Sequence, residues 1–337
     1  MRCRTLGRAM DSPFIHVKAL DGLHVQAREN GLAIDRARRA DHQPAYVDGL
    51  HPLTAVELLS REFRATEQVL APWLPTQGIT MIYAPRGVGK THVSIGIACA
   101  VASGTPFLCW KPPVPRSVLF IDGEMPGAVL QERFARTIKA SASSMPPENL
   151  KLVAADLEPD GLPDLANEEA QQFYGEVVAG ADLVIVDNLS TVCRSLRENE
   201  ADSWGPVQSW ALRLRRQGKS VLFIHHAGKG GSQRGTSRKE DILNTVIGLR
   251  RPPDYHASQG ARFEVHYEKA RGFYGADAEP FEAQLRDGQW QIGDITRSDD
   301  DASLHALKAQ GLSYREIEER TGVPKSTVNR KLNKGSL

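Results

Sequence analysis

One run of residues restricts this chain more than any other. Residues 79–83 make a short apolar, β-branched strand pattern, followed at once by Ala84-Pro85-Arg86-Gly87-Val88-Gly89-Lys90-Thr91 and then by a small-residue helical stretch from His92 to Ala102. Strand, glycine loop and helix in that order are what phosphate binding requires: glycines let backbone N–H groups turn inward, and the helix N-terminus adds partial positive charge. Gly87 and Gly89 supply that freedom, Lys90 reaches the terminal phosphates, and the Thr91 hydroxyl is placed to ligate Mg²⁺. The first position of such loops is usually glycine; here it is Ala84, which restricts the backbone to negative φ. Ala84, Pro85, Arg86, Gly87, Val88, Gly89, Lys90, Thr91 and His92 are the predicted nucleotide contacts, with ATP as the ligand.

Around this unit, apolar runs at residues 118–121, 150–154, 183–186, 221–224 and 263–267 alternate with helical patterns, which predicts a mainly parallel sheet covered by helices. Val207, Trp210, Ala211 and Leu214 recur at helical spacing and place one apolar stripe on that sheet, so Trp210 is core. We divide the chain into an N-terminal arm (1–70), an α/β core (71–298) and a small all-α module (299–337). Lys and Arg total 42 against 41 Asp and Glu, so any nucleic-acid surface is local. The 4 cysteines lack metal-ligand or disulfide spacing, which implies a reducing, cytoplasmic setting. The longest apolar stretch, residues 93–102, falls short of the ~20 needed to cross a bilayer, and no membrane partner is expected.

Hydrolysis needs a metal partner and a group that orients water. Residues 183–187, Leu-Val-Ile-Val-Asp, form a buried strand ending in a carboxylate, which assigns Asp187 with Thr91 to the Mg²⁺ shell. Another strand ends Asp122-Gly123-Glu124; either carboxylate sits where open α/β sheets bind ligands and can act as general base, or can cap the next turn.

With these motifs in order, the chain resembles the RecA-like ATPases over roughly residues 70 to 285. Within them it is similar to the hexameric plasmid replication helicases of RepA type, and more distantly to DnaB helicases and KaiC-like ATPases. The resemblance implies that Glu124 is the catalytic glutamate and that His225 or His226, at the end of the strand beside the phosphate-loop strand, senses the γ-phosphate. It also implies that Lys229, Arg238 and Lys239, on a glycine-rich loop, face a channel holding single-stranded DNA. Arg234 looks like the RepA-type arginine finger, and Lys269 with Arg271 looks like the Lys-x-Arg of DnaB-like enzymes. Either finger requires a homo-oligomer, a hexamer by resemblance, because it acts on a neighbour's nucleotide. The loop around Arg197, with Glu198, Glu200 and Asp202, has the position of a channel loop but a mixed charge.

Residues 302–337 carry seven Lys and Arg against three Glu. Ser313 and Glu316 form a predicted capping box, Gly322 suits a left-handed turn, and Ile317 and Val328 pack two helices, which looks like a helix-turn-helix, with a helical hairpin for protein contacts as the alternative. Lys325, Ser326, Thr327 and Asn329 are then the predicted duplex-DNA contacts, with Arg330 on phosphate. The reading is an ATP- and Mg²⁺-dependent motor on DNA, a ring-forming replicative helicase of a plasmid or other mobile element. A DNA-binding regulator switched by ATP and a recombination or repair ATPase are the alternatives.

Overall fold

The computed structural model describes residues 52–63, 65–142, 145–196, 201–228, 241–295, 301–321 and 323–333. The chain divides into two compact units, 2–66 and 67–337. In the first, helix α1 (Ala55–Ser60) starts at Thr54, whose hydroxyl accepts from the Glu57 backbone while Glu57 accepts from the Thr54 backbone. That reciprocal cap satisfies two donors the helix would otherwise leave open.

The second unit begins with a small antiparallel pair, β1 (Gln68–Leu70) and β2 (Leu74–Pro75). Its main sheet contains β3 (Ile79–Ala84), β4 (Val118–Asp122), β5 (Leu150–Ala154), β6 (Leu183–Asp187), β7 (Ser220–His226), β8 (Thr245–Arg250), β9 (Arg262–Ala270), β10 (Phe281–Arg286) and β11 (Gln289–Asp294). The helices are α2 (Lys90–Ser103), α3 (Gly127–Ala140), α4 (Gly175–Ala179), α5 (Leu189–Val192) and α6 (Gly205–Arg216), then α7 (Asp301–Ala309), α8 (Tyr314–Thr321) and α9 (Lys325–Asn333). The strand order is β11-β10-β9-β8-β3-β7-β6-β4-β5. From β8 to β5 every neighbouring pair is parallel, and β9, β10 and β11 extend the sheet antiparallel.

The sheet is a wall between two cores. Ile79, Met81 and Tyr83 face one side with Trp204, Val207, Trp210 and Leu214, whereas Ile82 and Ala84 face the other with α2. Covering both faces explains why β3, β6 and β7 are buried along their whole length instead of alternating apolar and polar residues. Trp210 is core, as its spacing predicts. Strands β8, β10 and β11 are absent from the sequence-based strand list and enlarge the predicted sheet. One strand, β7, separates the phosphate-loop strand from the strand of Asp187, and all three end on the same edge, where parallel sheets collect their ligands.

The last three helices share a small core of Leu304, Ile317, Val328 and Leu332. The predicted capping box is present: the Ser313 N–H donates to Glu316 at 2.7 Å, and Ser313 Oγ accepts from the Glu316 N–H at 3.3 Å. Among the described residues, no helix is long and apolar enough to cross a membrane.

Candidate functional site

The phosphate loop leaves β3 with Ala84 still in the strand and turns through Gly87 at φ +76 and Gly89 at φ +126, conformations that L side chains avoid. Val88 is buried, so its contribution at the loop is backbone. Lys90 opens α2, is itself buried, and its Nζ donates to the Ala84 and Pro85 carbonyls at 2.9 and 3.0 Å. Burial lowers the Lys90 pKa and the nearby Asp187 and Glu124 carboxylates oppose that shift, so these three charges share one electrostatic site.

Asp187, at the end of β6, is almost fully buried and accepts from Ser94 Oγ at 2.6 Å. Ser94 also reaches the Thr91 carbonyl at 3.1 Å, which ties the two predicted metal residues together through one hydroxyl. Desolvation pushes the Asp187 pKa up to about 6; Asp122 and Glu124 add to the rise, while Ser94 and Lys90 oppose it. Asp122 is buried too, and its Oδ1 accepts from the backbone N–H groups of Glu124 (3.2 Å) and Met125 (2.7 Å). It therefore shapes the turn. Glu124 projects from that turn with an exposed side chain, where Asn188 Nδ2 donates to its Oε2 and His226 Nε2 stands 3.9 Å from the same oxygen.

The two adjacent histidines separate as their strand dictates. His226 is opposite Ala84 and comes to Glu124, whereas His225 pairs with Tyr83 and is fully buried toward the other core. His92, predicted as a nucleotide contact, instead lines a cavity of about 560 Å³ between α2, α3 and the β10–β11 hairpin, near Arg133 and Arg136. Burial, followed by those two arginines, lowers its pKa. Lys269 pairs with Val246, and the Arg271 N–H donates to the Asn244 carbonyl, at the end of the sheet opposite the phosphate loop of the same protomer. Lys325, Ser326 and Asn329 are exposed on α9 and Thr327 is half-buried. Lys229, Arg234, Arg238, Lys239 and the side chain of Arg330 lie outside the described residues, as do residues 197–200.

Three contributors have no role assigned from sequence. Ser94 and Asn188 are described above. Arg251, just after β8, donates from Nη2 to the Gly87 carbonyl at 3.2 Å, and its guanidinium lies 4.2 Å from the centre of the Tyr255 ring. The Arg-Arg-Pro-Pro run at 250–253 was an available signal, but only with β8 recognised beside β3.

The donor set suits a hard divalent cation that keeps much of its water: one hydroxyl, one buried carboxylate and acidic neighbours. No group of three or more His, Cys, Asp or Glu that could hold a metal exists among the described residues. A mainly parallel sheet with a phosphate loop on its central strand and an acidic strand end two strands away defines a RecA-like P-loop ATPase core. The chain belongs to the AAA domain family, whose sequence profile matches residues 46–232, more than half of its length. The solved structure of a KaiC-like protein from the hyperthermophilic archaeon Pyrococcus horikoshii is also similar, at 13% identity and TM-score 0.48, over 66% of this chain and 93% of that one.

Proposed function

We propose that this ATPase core hydrolyses Mg-ATP to drive a homo-oligomeric ring along single-stranded DNA, as a replicative helicase of a plasmid or other mobile element. The observation that carries the hydrolytic part is the convergence of Lys90, Asp187, Glu124 and His226 at one sheet edge beside the glycine loop. The loop N–H groups and Lys90 bind the phosphates, with Thr91 and Asp187 holding Mg²⁺. The metal, when bound, neutralises charge on the phosphate oxygens. Glu124 takes a proton from water as the water oxygen bonds to the γ-phosphorus and the bond to the leaving ADP breaks. His226, close to Glu124, reports the loss of the γ-phosphate to the loop that follows β7.

The ring part of the proposal is supported by the position of Lys269 and Arg271. Far from their own protomer's loop, they can complete a phosphate site only in a neighbour. Arg234 remains the competing finger. DNA enters through the segments after β6 and β7 and through α9, whose exposed Lys325, Ser326 and Asn329 suit a duplex groove in a helix-turn-helix module. The domain division at 70 and 298 and a cytoplasmic location belong to the same proposal.

The test is ATP turnover with and without single-stranded DNA, together with strand displacement and the mass of the nucleotide-bound assembly. The expected results are stimulation by single strands, unwinding and a ring-sized particle. Turnover stimulated only by duplex, without unwinding, favours the ATP-switched regulator. Lys90→Ala should abolish turnover, and normal turnover in that variant would refute the phosphate site.

A further inference from the structure

The cavity between α2, α3 and the β10–β11 hairpin has no part in the proposed mechanism, yet its volume of about 560 Å³ is that of a small-molecule site. Its floor is aromatic. The Phe107 ring is seated against Gly96, where a Cβ would stand only 2.2 Å away, and Trp290 meets Phe107 edge-on with ring centres 5.9 Å apart. Trp73, Trp110, Trp204 and Trp210 are buried, whereas Trp290 is half-buried and lines the cavity. The α3 wall is basic: it brings the guanidinium groups of Arg133 and Arg136 against the single carboxylate of Glu132. Arg136 is exposed and pairs with Glu132, which leaves Arg133, half-buried and without an ion pair among the described residues, as the unmatched charge.

An aromatic floor beside an unmatched guanidinium selects a flat ring that carries an anionic group. Gln289 and Thr137 add an amide and a hydroxyl for polar ring edges and a sugar. The two helical walls also lead to the chemistry, because α2 opens with Lys90 and Thr91 and α3 opens directly after the turn of Glu124. Arg133 further favours the ionised form of Asp122, the carboxylate that holds that turn.

We infer that this cavity binds a nucleoside monophosphate, its base on Phe107 and Trp290 and its phosphate on Arg133 and Arg136, and that occupancy slows ATP turnover. A phosphate on Arg133 competes with Asp122 for the guanidinium and loosens the turn beneath Glu124. The effect on turnover rests on the hydrolytic reading above; the binding does not.

Trp290 supplies the readout. AMP, GMP, CMP and UMP are titrated into the full chain holding saturating Mg-ADP, following tryptophan emission and, in parallel, calorimetric heat; uridine and inorganic phosphate alone are the control arms. The expected result is saturable quenching by at least one monophosphate with a Kd below about 1 mM, and none by either control at that concentration. Trp290→Phe removes the quenching and keeps the heat, and Arg133→Ala weakens binding about tenfold while its turnover without monophosphate shows the fold intact. In wild type the bound monophosphate lowers kcat about fivefold and leaves the KM for ATP in place. Absence of saturable binding by all four, or equal binding by Arg133→Ala, overturns the inference. Binding lost in the presence of Mg-ADP does so too, because it places the monophosphate in the triphosphate site. Saturable binding with unchanged turnover overturns the regulatory role. A wild type that hydrolyses no ATP instead sinks the hydrolytic reading, and quenching of Trp290 that depends on Arg133 then still supports the site.

Discussion

At the residue scale, the site is made of two kinds of side chain, distinguished by how far they reach along the chain. Lys90, Thr91 and Asp187 follow local rules, a loop of fixed spacing or a carboxylate at the end of an apolar run, whereas Glu124 is separated from Asp122 only by resemblance. Those rules can be read without a fold. Ser94, Asn188 and Arg251 act on partners 93, 64 and 164 residues away, so nothing local marks them until the strands are set side by side. Burial also sets reactivity at this scale. The Cys99 thiol is buried in α2, and desolvation pushes its pKa up to about 12. With iodoacetamide at pH 8, Cys99 should stay unmodified in the native protein and react only after denaturation, as read by peptide mass spectrometry; rapid native labelling would contradict the packing described for α2. Ser94→Ala should leave the fold intact and weaken Mg-nucleotide binding about tenfold, because Asp187 loses the hydroxyl that orients it. Calorimetric titration with Mg-nucleotide measures this directly.

Among the elements, α2 is the most constrained, since it must present Lys90 and Thr91 at one end while packing flat on the sheet. Gly96 makes room for a neighbouring loop residue: a Cβ there would stand 2.2 Å from the Phe107 ring. Gly96→Ala should cost about 1–3 kcal/mol of stability through overpacking, seen as a lower urea midpoint, and an unchanged midpoint would mean that the Phe107 ring yields freely. Helix α8 offers a milder case: Ser313→Ala removes its cap and should cost about 1 kcal/mol of local stability, read by amide exchange along residues 314–321. The elements also explain why the sequence-based sheet was too small. Strand β8 is six residues interrupted by Gly248. The β10–β11 hairpin turns through Asp287 and Gly288, both at positive φ, so its Asp-Gly pair was a readable turn signal between two half-polar strands.

For the whole molecule, the question is how many chains make one working site. Lys269 and Arg271 lie at the far end of the sheet from their own phosphate loop; on the proposed ring reading they act on a neighbour's nucleotide, and loss of such a finger and loss of Lys90 should then be rescued by mixing. Lys90→Ala and Arg271→Ala chains, each inactive alone, should together recover a fraction of wild-type turnover from junctions that pair an intact loop with an intact finger. No recovery in an assembled mixture would remove Arg271 from the neighbour's site. The parallel sheet around the loop was legible because hydrophobic runs and motif order carry it, whereas the arrangement between chains leaves no periodic trace in one sequence. Strand β9 has a further consequence. Phe263, near its start, lies beneath Gly89, while its last residues reach the opposite rim roughly 25 Å away at the usual rise per residue. It spans the protomer as one strand, with a register shift opposite Val246 and Ile247; in the proposed ring it would carry a tilt at one nucleotide toward Lys269 and Arg271, so that firing would be sequential rather than random.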